Sequence, residues 1–434
     1  MLDTGRIIVK LETLLLDNFK TFKHQEITFD KLTVIIGENA SGKTNLLWGI
    51  RFLKDIANHG LYTAVAMAGG RYFPRRIGDG SSMPTRVKIT LDGDMQFPQK
   101  DRTKSKPITF KKVSYSISVI TTESEQNGWA VTSWSEELVF HGIKTDEELG
   151  DILITQSSQT PDKSPDMEGT GHVTDEIINK VFPVESRDWL NHRWEFGDIK
   201  DSEQISFLNS GRISPLSHWL DQHIRFYNPL PFFTQSITEL SGNSNLTETG
   251  ANVADVLENI ERLNRSSQVI SLIQRLFPWV DSVKSIQLSN GGLTWGIQER
   301  GLEEPTPARI LSPGQIRGMA LVLALFQANR SDVLILEEPE QYLHPSMLGP
   351  FLALVTEIID TYGCQIVFTT QQPEILAQLS ENQEVLLVRR GNKERNSKVY
   401  NLRALPALND WVKNLGIANL YIDNFLESLF TEDL

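Results

Sequence analysis

The sequence predicts an α/β fold with a mostly parallel core sheet, an antiparallel β lobe and a helical or irregular insertion. An apolar run at 32–36 leads into a glycine-rich loop, which is followed by a helix-compatible stretch. Residues 85–140 carry alternating or β-branched side chains between turn residues, as antiparallel strands do. A further apolar run, at 333–336, ends in two acids. Short continuous apolar runs such as these favour buried strands of a parallel sheet.

Length and composition indicate a soluble globular protein. The 434 residues can form one large domain or two to three ordinary ones. The hydrophobic fraction is 40% and the charged fraction 22%, and no apolar run approaches the roughly 20 residues that cross a bilayer. The N-terminus lacks the cleavage site of a secretion signal, and a single cysteine excludes a disulfide framework. We therefore expect a cytoplasmic protein without membrane contact.

The charge balance argues against a surface that binds nucleic acid over most of its area. The formal net charge is −13, whereas affinity for nucleic acid comes from basic contacts with phosphates. Three local segments are nevertheless rich in lysine and arginine, at 71–76, 100–112 and 389–398. Each can be a solvated loop or a basic patch that binds nucleic acid, and the sequence leaves both interpretations open.

Composition divides the chain into four segments. Residues 1–140 hold the glycine-rich loop and the β-rich lobe, and 141–225 are expected to form a partly disordered insertion. Residues 226–390 form the second part of the core, and 391–434 are expected to pack on it. Within the β-rich lobe, Asp92–Asp94 could be metal-binding carboxylates or a hairpin turn. The Asp-Gly pair between extended runs favours the hairpin.

The stretch IIGENASGKTNLL, residues 35–47, has the spacing of a phosphate-binding loop. Four residues separate Gly37 from Gly42, and Lys43 and Thr44 follow directly. Such glycines let backbone N–H groups turn inward around phosphates, and the following helix offers its positive N-terminus. Lys43 would reach the β- and γ-phosphates, and the Thr44 hydroxyl would ligate Mg²⁺.

A second pattern lies at 309–326, where Leu-Ser-Pro-Gly-Gln precedes a long apolar helix. The backbone N–H groups of Ser312 and Gly314 at the start of this helix would point toward an anion. A turn that merely caps the helix is the alternative, because serine is a preferred N-cap residue.

A third pattern, DVLILEEPEQYLHP, follows at 332–345. Its buried strand would deliver Glu337 and Glu338 side by side, on opposite faces of the sheet. The first carboxylate suits the Mg²⁺ shell, and the second suits the orientation of an attacking water. The alternative is a solvated acidic turn. The order of the three patterns along the chain favours the catalytic interpretation over this turn.

The order of these patterns resembles that of ABC-type ATPases of the structural-maintenance-of-chromosomes (SMC), RecF and OLD (overcoming lysogenization defect) kind. The likeness is closest to compact AAA-family ATPases allied to OLD proteins, without a Toprim domain. It extends to the blocks ETGANVADVLENI and TTQQPEIL and covers most of the chain outside about 141–210. The resemblance implies ATP and Mg²⁺ as ligands, with Glu338 and Gln371 as catalytic residues and Thr44 and Glu337 at the metal. The nucleotide-binding residues that it implies are Gly37, Glu38, Asn39, Ala40, Ser41, Gly42, Lys43, Thr44, Ser312, Gly314 and Gln315.

Two positions depart from the family pattern. Family members usually have Asp where this chain has Glu337, and His where it has Gln371. Gln371 can hydrogen-bond a phosphate oxygen but cannot become cationic. Both changes keep nucleotide binding intact and predict slow turnover. No residue between 59 and 140 stands out as the family's Q-loop glutamine.

Three functions fit these features. The first is an ATPase that dimerises, or forms a higher homo-oligomer, around ATP and controls a separately encoded effector, such as a nuclease, in antiviral defence. The second is a RecF-like repair or recombination ATPase that clamps DNA, to which the net charge of −13 is unfavourable. The third is a binding module with a degenerate nucleotide site. Adjacent genes would distinguish them, since a neighbouring nuclease favours the first function and repair genes favour the second.

Overall fold

The structure is a computed structural model that divides into two compact units. The first unit consists of Met1–Phe29, Asn39–Ile224 and Val388–Val399, and the second of Asp30–Glu38, Arg225–Leu387 and Tyr400–Leu434. The residues that the structure describes are 9–74, 83–96, 109–123, 129–144, 149–157, 166–171, 215–239, 242, 244–330, 332–379, 383–391, 396–405 and 416–422.

The first unit contains the antiparallel β lobe. Its sheet has the strand order β8-β7-β6-β5-β4-β1-β2-β16, and every neighbouring pair from β8 to β2 is antiparallel. The strands are β1 (Lys10–Phe19), β2 (Phe22–Thr28), β4 (Thr85–Gln96), β5 (Thr109–Thr122), β6 (Ala130–Lys144), β7 (Leu149–Ser157), β8 (Asp166–Gly171) and β16 (Ser397–Asn401). The alternation of apolar residues explains this sheet, because Val113, Tyr115, Ile117 and Val119 of β5 all point into the core.

The antiparallel lobe extends further along the chain than predicted. Strands β7 and β8 lie within 141–225, where an irregular insertion was expected, and that expectation is wrong for 149–157 and 166–171. In β7 the buried Ile152 and Ile154 alternate with the partly exposed Asp151, Leu153 and Thr155, which is the period of a strand packed on one face. The rest of the expected insertion up to 214 lies outside the described residues.

The hairpin predicted at Asp92–Asp94 is also wrong. Strand β4 continues through this triplet, and its register with β5 shifts between Asp92 and Met95. Gly93 has a φ of 148°, a conformation that glycine adopts more readily than other residues. The Asp-Gly pair therefore marks a β-bulge within one strand.

In the described part of the first unit three helices pack: α1 (Lys43–His59), α2 (Leu61–Met67) and α3 (Pro215–His223). Helix α1 buries an apolar stripe that includes Leu46, Ile50 and Leu53. On the same helix, Lys54 Nζ lies 2.7 Å from both the Asp221 and Ile224 carbonyl oxygens. A lysine at the carbonyl end of a helix satisfies orphan acceptors, so this contact ties the end of α3 to α1.

The second unit contains the parallel core sheet, in the order β15-β3-β14-β13-β9. Strand β14 is parallel to both β3 and β13, and β15 is parallel to β3, which confirms the predicted mostly parallel core. The strands are β3 (Leu32–Ile36), β9 (Ile224–Tyr227), β13 (Val333–Glu337), β14 (Gln365–Thr370) and β15 (Glu384–Arg390). All residues of β3 and β14 are buried, as a sheet covered on both faces requires.

Helices and a small second sheet complete the second unit. Strand β11 pairs antiparallel with both β10 and β12, and Gly291, at a φ of 84°, lies in the turn between β10 and β11. These strands are β10 (Val280–Gln287), β11 (Leu293–Glu299) and β12 (Thr306–Pro307). The helices are α4 (Pro231–Thr234), α5 (Val253–Arg262), α6 (Ser266–Leu276), α7 (Pro313–Phe326), α8 (Pro345–Tyr362), α9 (Pro373–Leu376) and α10 (Ile417–Ile422).

Helix α7 is buried on nearly all sides. Every residue from Ile316 to Phe326 is buried, and among them Arg317 is the one charged side chain. A helix that is apolar all round belongs to the interior of a large core. Among the residues that the structure describes, no helix is both long enough and apolar enough to span a bilayer.

Candidate functional site

The phosphate loop, Gly37–Thr44, follows the fully buried strand β3. The backbone has positive φ at Gly37 (150°), Ala40 (61°) and Gly42 (117°), so the chain turns repeatedly before α1 begins at Lys43. Positive φ is uncommon for alanine, and such local strain is typical of functional loops. Gly37 and Glu38 belong to the second unit, whereas the loop from Asn39 onward belongs to the first.

Gly42 is required by close packing as well as by its positive φ. A Cβ at this position would lie 2.5 Å from Ser397 Oγ and 3.0 Å from Thr21 Oγ1. Ser397 Oγ itself lies 2.5 Å from the Ser41 carbonyl oxygen and 2.8 Å from Thr21 Oγ1. Asn45 Nδ2 donates to Thr21 Oγ1 at 3.1 Å. These hydroxyl and amide groups, all in the first unit, hold the loop around Ser41 and Gly42.

The atoms of this loop fit a phosphate group. The Ser41 hydroxyl is buried and has no hydrogen-bond partner among the described residues. No side chain caps the first N–H groups of α1, because its N-cap residue is Gly42. Lys43 is only 7% exposed and Thr44 is exposed. The N-terminus of a 17-residue helix without a side-chain cap is a favourable environment for an anion.

The acid pair, Glu337 and Glu338, lies where β13 ends. Glu337 is the last residue of the strand and pairs with Thr369 of β14. Glu338 has a φ of 44°, in the left-handed region, and its N–H donates to the Thr369 carbonyl (3.1 Å) and hydroxyl (3.2 Å). Gln371, just beyond β14, donates from Nε2 to Glu338 Oε1. Two of the predicted catalytic residues are therefore in direct contact.

A third acid, Glu340, organises the same region. It is 6% exposed, and its Oε1 accepts from the Thr370 hydroxyl at 2.7 Å and from the Gln371 N–H at 3.3 Å. Its Oε2 is buried and has no partner among the described residues. Burial raises the pKa of Glu340, and the hydrogen bonds from Thr370 and Gln371 oppose that shift. Glu340 fixes the end of β14, and thus the position from which Gln371 reaches Glu338.

The signature turn, Ser312–Gln315, starts helix α7 with a capping box. Ser312 Oγ accepts from the Gln315 N–H at 3.3 Å, and the Ser312 N–H donates to Gln315 Oε1 at 2.8 Å. The Ser312 N–H is therefore used within the cap, while its hydroxyl proton and the Gly314 N–H remain for the predicted contact with an anion. A Cβ at Gly314 would lie 2.5 Å from the Tyr342 carbonyl oxygen, so the close approach of the loop after the acid pair requires glycine here.

The signature turn opens onto a cleft of about 600 Å³. Its other walls include Trp279, Tyr342 and His344. Ser312 and His344 are the N-cap residues of α7 and α8, so two helix N-termini face this cleft. The cleft is lined by Ser312, Gly314 and Gln315, the three residues of this turn that are predicted to contact nucleotide.

Sequence reasoning missed three residues that support these groups. Arg317 donates to the carbonyl oxygens of Glu337 and Glu338, and its one signal is that it is a charge in an apolar helix. Glu340 is signalled only as an extra acid after the predicted pair. Ser397, which packs on the phosphate loop across 356 residues of sequence, carries no sequence signal.

Two family models match the chain. The first, described as "AAA domain, putative AbiEii toxin, Type IV TA system", matches residues 143–377. The second, described as "AAA ATPase domain", matches residues 10–147. The first match covers more than half of the sequence, and the chain belongs to this family of AAA domains.

Curated relatives are similar over short segments. The OLD nuclease of Thermus scotoductus is 35% identical over 92 residues, which is 19% of this chain and 17% of that protein. The DNA replication and repair protein RecF of Picosynechococcus is 42% identical over 50 residues, or 11% and 13% of the two chains. The thiamine import ATP-binding protein ThiQ of Ruegeria is 35% identical over 91 residues, or 21% and 37%. The chain thus spans well under half the length of each of these relatives.

Solved SMC head domains are similar along most of the chain. The head domain of Thermotoga maritima is 15% identical, with a TM-score of 0.39, and the match covers 90% of this chain and 98% of that one. The head domain of Pyrococcus furiosus, solved with a domain of ScpA, is 15% identical, with a TM-score of 0.47 and coverages of 94% and 99%. The family matches and the curated relatives confirm the predicted class, an ABC-type ATPase of the OLD and RecF kind.

Proposed function

We propose that this chain binds ATP and hydrolyses it slowly. The observation that carries the proposal is the contact between Glu338 and Gln371 at the ends of β13 and β14, beside the strand that leads into the phosphate loop. Ligands of α/β sheets bind at the carboxyl ends of the parallel strands. A carboxylate that orients water and an amide that contacts the γ-phosphate suit that edge.

Each residue has a separate role in this proposal. The loop N–H groups and Lys43 hold the phosphates, and Glu338 orients the attacking water and accepts its proton. Thr44 and Glu337 would hold Mg²⁺, which supplies charge neutralisation when bound. Gln371 would donate a hydrogen bond to a phosphate oxygen but adds no positive charge. It would therefore stabilise the negative charge of the γ-phosphate less than the histidine that family members usually have. We therefore propose slow turnover.

We further propose that ATP joins two copies of the chain. The signature turn is exposed at Ser312 and makes its hydrogen bonds within its own cap. Its free donors gain a ligand if they meet the γ-phosphate held by a second copy. Two such contacts generate a two-fold, self-complementary interface. ADP lacks the γ-phosphate that the signature turn would bind, so the two copies would separate when ATP is converted to ADP.

The dimer is tested by mass. Glu338→Gln, in which hydrolysis is expected to be blocked, should double in mass by light scattering with ATP but not with ADP, because only ATP carries the γ-phosphate. Adding Ser312→Arg should abolish the doubling, since a large side chain would block the signature turn. Ser267→Arg, in the exposed first turn of α6, is the matched control and should leave the doubling intact. A mass that does not depend on nucleotide would contradict the interface.

We propose, more finely, that the dimer controls a separately encoded effector in cytoplasmic antiviral defence. Support comes from the family description, which includes a putative toxin of a type IV toxin–antitoxin system, and from the segment similar to an OLD nuclease. A nucleotide-timed change of oligomeric state can hold an effector and release it. A nuclease gene next to this one would favour this role, and repair genes would argue against it.

A DNA clamp of the RecF kind is the second candidate, favoured by the segment that is 42% identical to RecF. A clamp is expected to bind duplex DNA only with ATP. Each phosphate contact should steepen the logarithmic salt dependence by about 0.9. Fluorescence anisotropy of labelled duplex DNA between 50 and 200 mM salt would measure both. Absence of ATP-dependent binding at the lowest salt would eliminate the clamp and leave the ATPase proposal untouched.

A further inference from the structure

We propose that Arg317 is a positioning residue for hydrolysis: it fixes the backbone of the acid pair and links that backbone to the signature turn through helix α7. The inference rests on the proposed ATPase function, because it concerns the residue that the proposal makes the catalytic base. Arg317 itself lies in the buried body of the helix and is assigned no contact with nucleotide.

The guanidinium of Arg317 is completely buried and bound to backbone oxygens. Its Nη2 donates to the carbonyl oxygens of Glu337 and Glu338, each at 2.9 Å. Its Nη1 donates to the Pro229 carbonyl at 2.6 Å, and both terminal nitrogens lie 3.3 Å from Asn228 Oδ1. The planar fork of arginine is suited to such a set of acceptors, whereas a lysine ammonium is not.

Stability alone does not explain an arginine at this position. Desolvation by burial lowers the pKa of Arg317, and the nearby acid Glu340 opposes that shift most. The Arg317 Nε is buried and has no hydrogen-bond partner among the described residues. A well-packed apolar side chain is often at least as stabilising as a buried charge. The contacts of Arg317 therefore suggest a role in geometry.

The geometry in question is the strained backbone of Glu338. Its φ of 44° lies in the left-handed region, which is unfavourable for a residue with a side chain. Such a conformation persists only where the surroundings hold it. Thr369 holds the N–H of Glu338, while Arg317 and the Gln341 N–H hold its carbonyl oxygen. Arg317 also holds the preceding carbonyl, so both peptide units around the strained residue are fixed.

The direction of the Glu338 carboxylate depends on this backbone. If the peptide relaxed toward an ordinary conformation, the side chain would leave its contact with Gln371 and would no longer be aimed at an attacking water. A misplacement of about 1 Å can cost roughly a hundred-fold in rate. The phosphate-binding groups do not depend on this peptide, so ATP affinity should be preserved.

Arg317 also provides a route from the dimer interface to the base. It lies five residues after Ser312 on the same helix, about 7.5 Å along its axis. A short segment of helix moves as a rigid body. A ligand contact that displaces the signature turn would therefore also displace the Arg317 guanidinium. The carbonyl groups of Glu337 and Glu338, which it binds, would move with it. Hydrolysis would then respond to the arrival of a second copy.

The test is Arg317→Lys in the full chain, which keeps the charge and removes the fork. We expect kcat to fall about 30-fold while the ATP Kd changes by less than three-fold. Hydrogen exchange at the Gln341 and Leu343 amides should be at least ten-fold faster, because both bonds lie in the turn that Arg317 holds. The matched control is Arg225→Lys, since Arg225 also contacts a backbone carbonyl and an acid in the second unit. Arg225→Lys should change neither kcat nor the exchange rates of the Gln341 and Leu343 amides.

The possible outcomes separate this inference from the ATPase proposal. Wild-type hydrolysis that Glu338→Gln does not reduce contradicts the proposed base, whereas unchanged exchange in Arg317→Lys contradicts the positioning role. A loss of ATP affinity equal to the loss of kcat indicates a merely structural role and also overturns the inference. If Arg317→Lys does not fold, Asn228→Ala loosens the fork more gently. It should reduce kcat about three-fold with Kd unchanged, and an unaltered kcat in that folded variant overturns the inference.

Discussion

Replacing Glu338 by glutamine is expected to reduce ATP turnover about a thousand-fold. General-base catalysis contributes roughly 10²–10⁴-fold to rate, and the amide cannot accept the proton of the attacking water. The substitution is nearly isosteric, so the strained backbone and the phosphate-binding groups should remain, with ATP affinity within about three-fold of wild type. Single-turnover hydrolysis of radiolabelled ATP and a separate binding titration measure the two effects.

The matched control for this substitution is Glu357→Gln. Glu357 is a partly exposed acid on helix α8 that pairs with Arg275, and its substitution should leave turnover unchanged. Turnover at the wild-type rate in Glu338→Gln would show that the base lies elsewhere. Glu340 would then be the next carboxylate to test, because it is buried beside Gln371.

Replacing Lys43 by alanine is expected to weaken ATP binding at least a hundred-fold, which corresponds to about 2.7 kcal/mol. The ammonium group is the charge that the phosphate loop would place on the β- and γ-phosphates. Calorimetric titration with ATP and Mg²⁺ measures the loss, and thermal unfolding without nucleotide checks that the variant is folded.

Lys54→Ala on the same helix serves as the control for charge removal. Lys54 holds the carbonyl end of α3, so its loss should lower the melting temperature but leave ATP affinity unchanged. If both alanine variants bind ATP equally well, the phosphate loop is not the nucleotide site.

The parts of the fold that sequence predicts well are those where one local pattern determines the structure. Strands β3, β13 and β14 are short apolar runs, and a buried parallel strand is their natural structure. The β-bulge at Asp92 was mistaken for a hairpin because Asp-Gly suits both, and only pairing with β5 distinguishes them. Strand β7 was missed because its two buried isoleucines alternate in a mostly polar segment.

The candidate site could be proposed from the sequence where a residue's own chemistry would meet the ligand. Glycine spacing and the two acids indicate phosphate and metal contacts without any knowledge of the fold. The supporting residues could not be predicted, because their role depends on tertiary contacts. Arg317 is important only if α7 lies beside the turn after β13, and Glu340 only if that turn reaches the end of β14. No local pattern encodes either neighbour.

The contact of Ser397 with the phosphate loop has a consequence during protein synthesis. The loop leaves the ribosome early, but Ser397 is made 356 residues after the Ser41 carbonyl that it contacts. At about 5–20 residues per second, this interval lasts roughly 20–70 s. Throughout that time the phosphate loop of the nascent chain lacks its hydrogen bond with Ser397. Under the proposed function, ATP would meet the loop in its final form only after Ser397 has been made, so nucleotide binding would report that these two distant segments have come together.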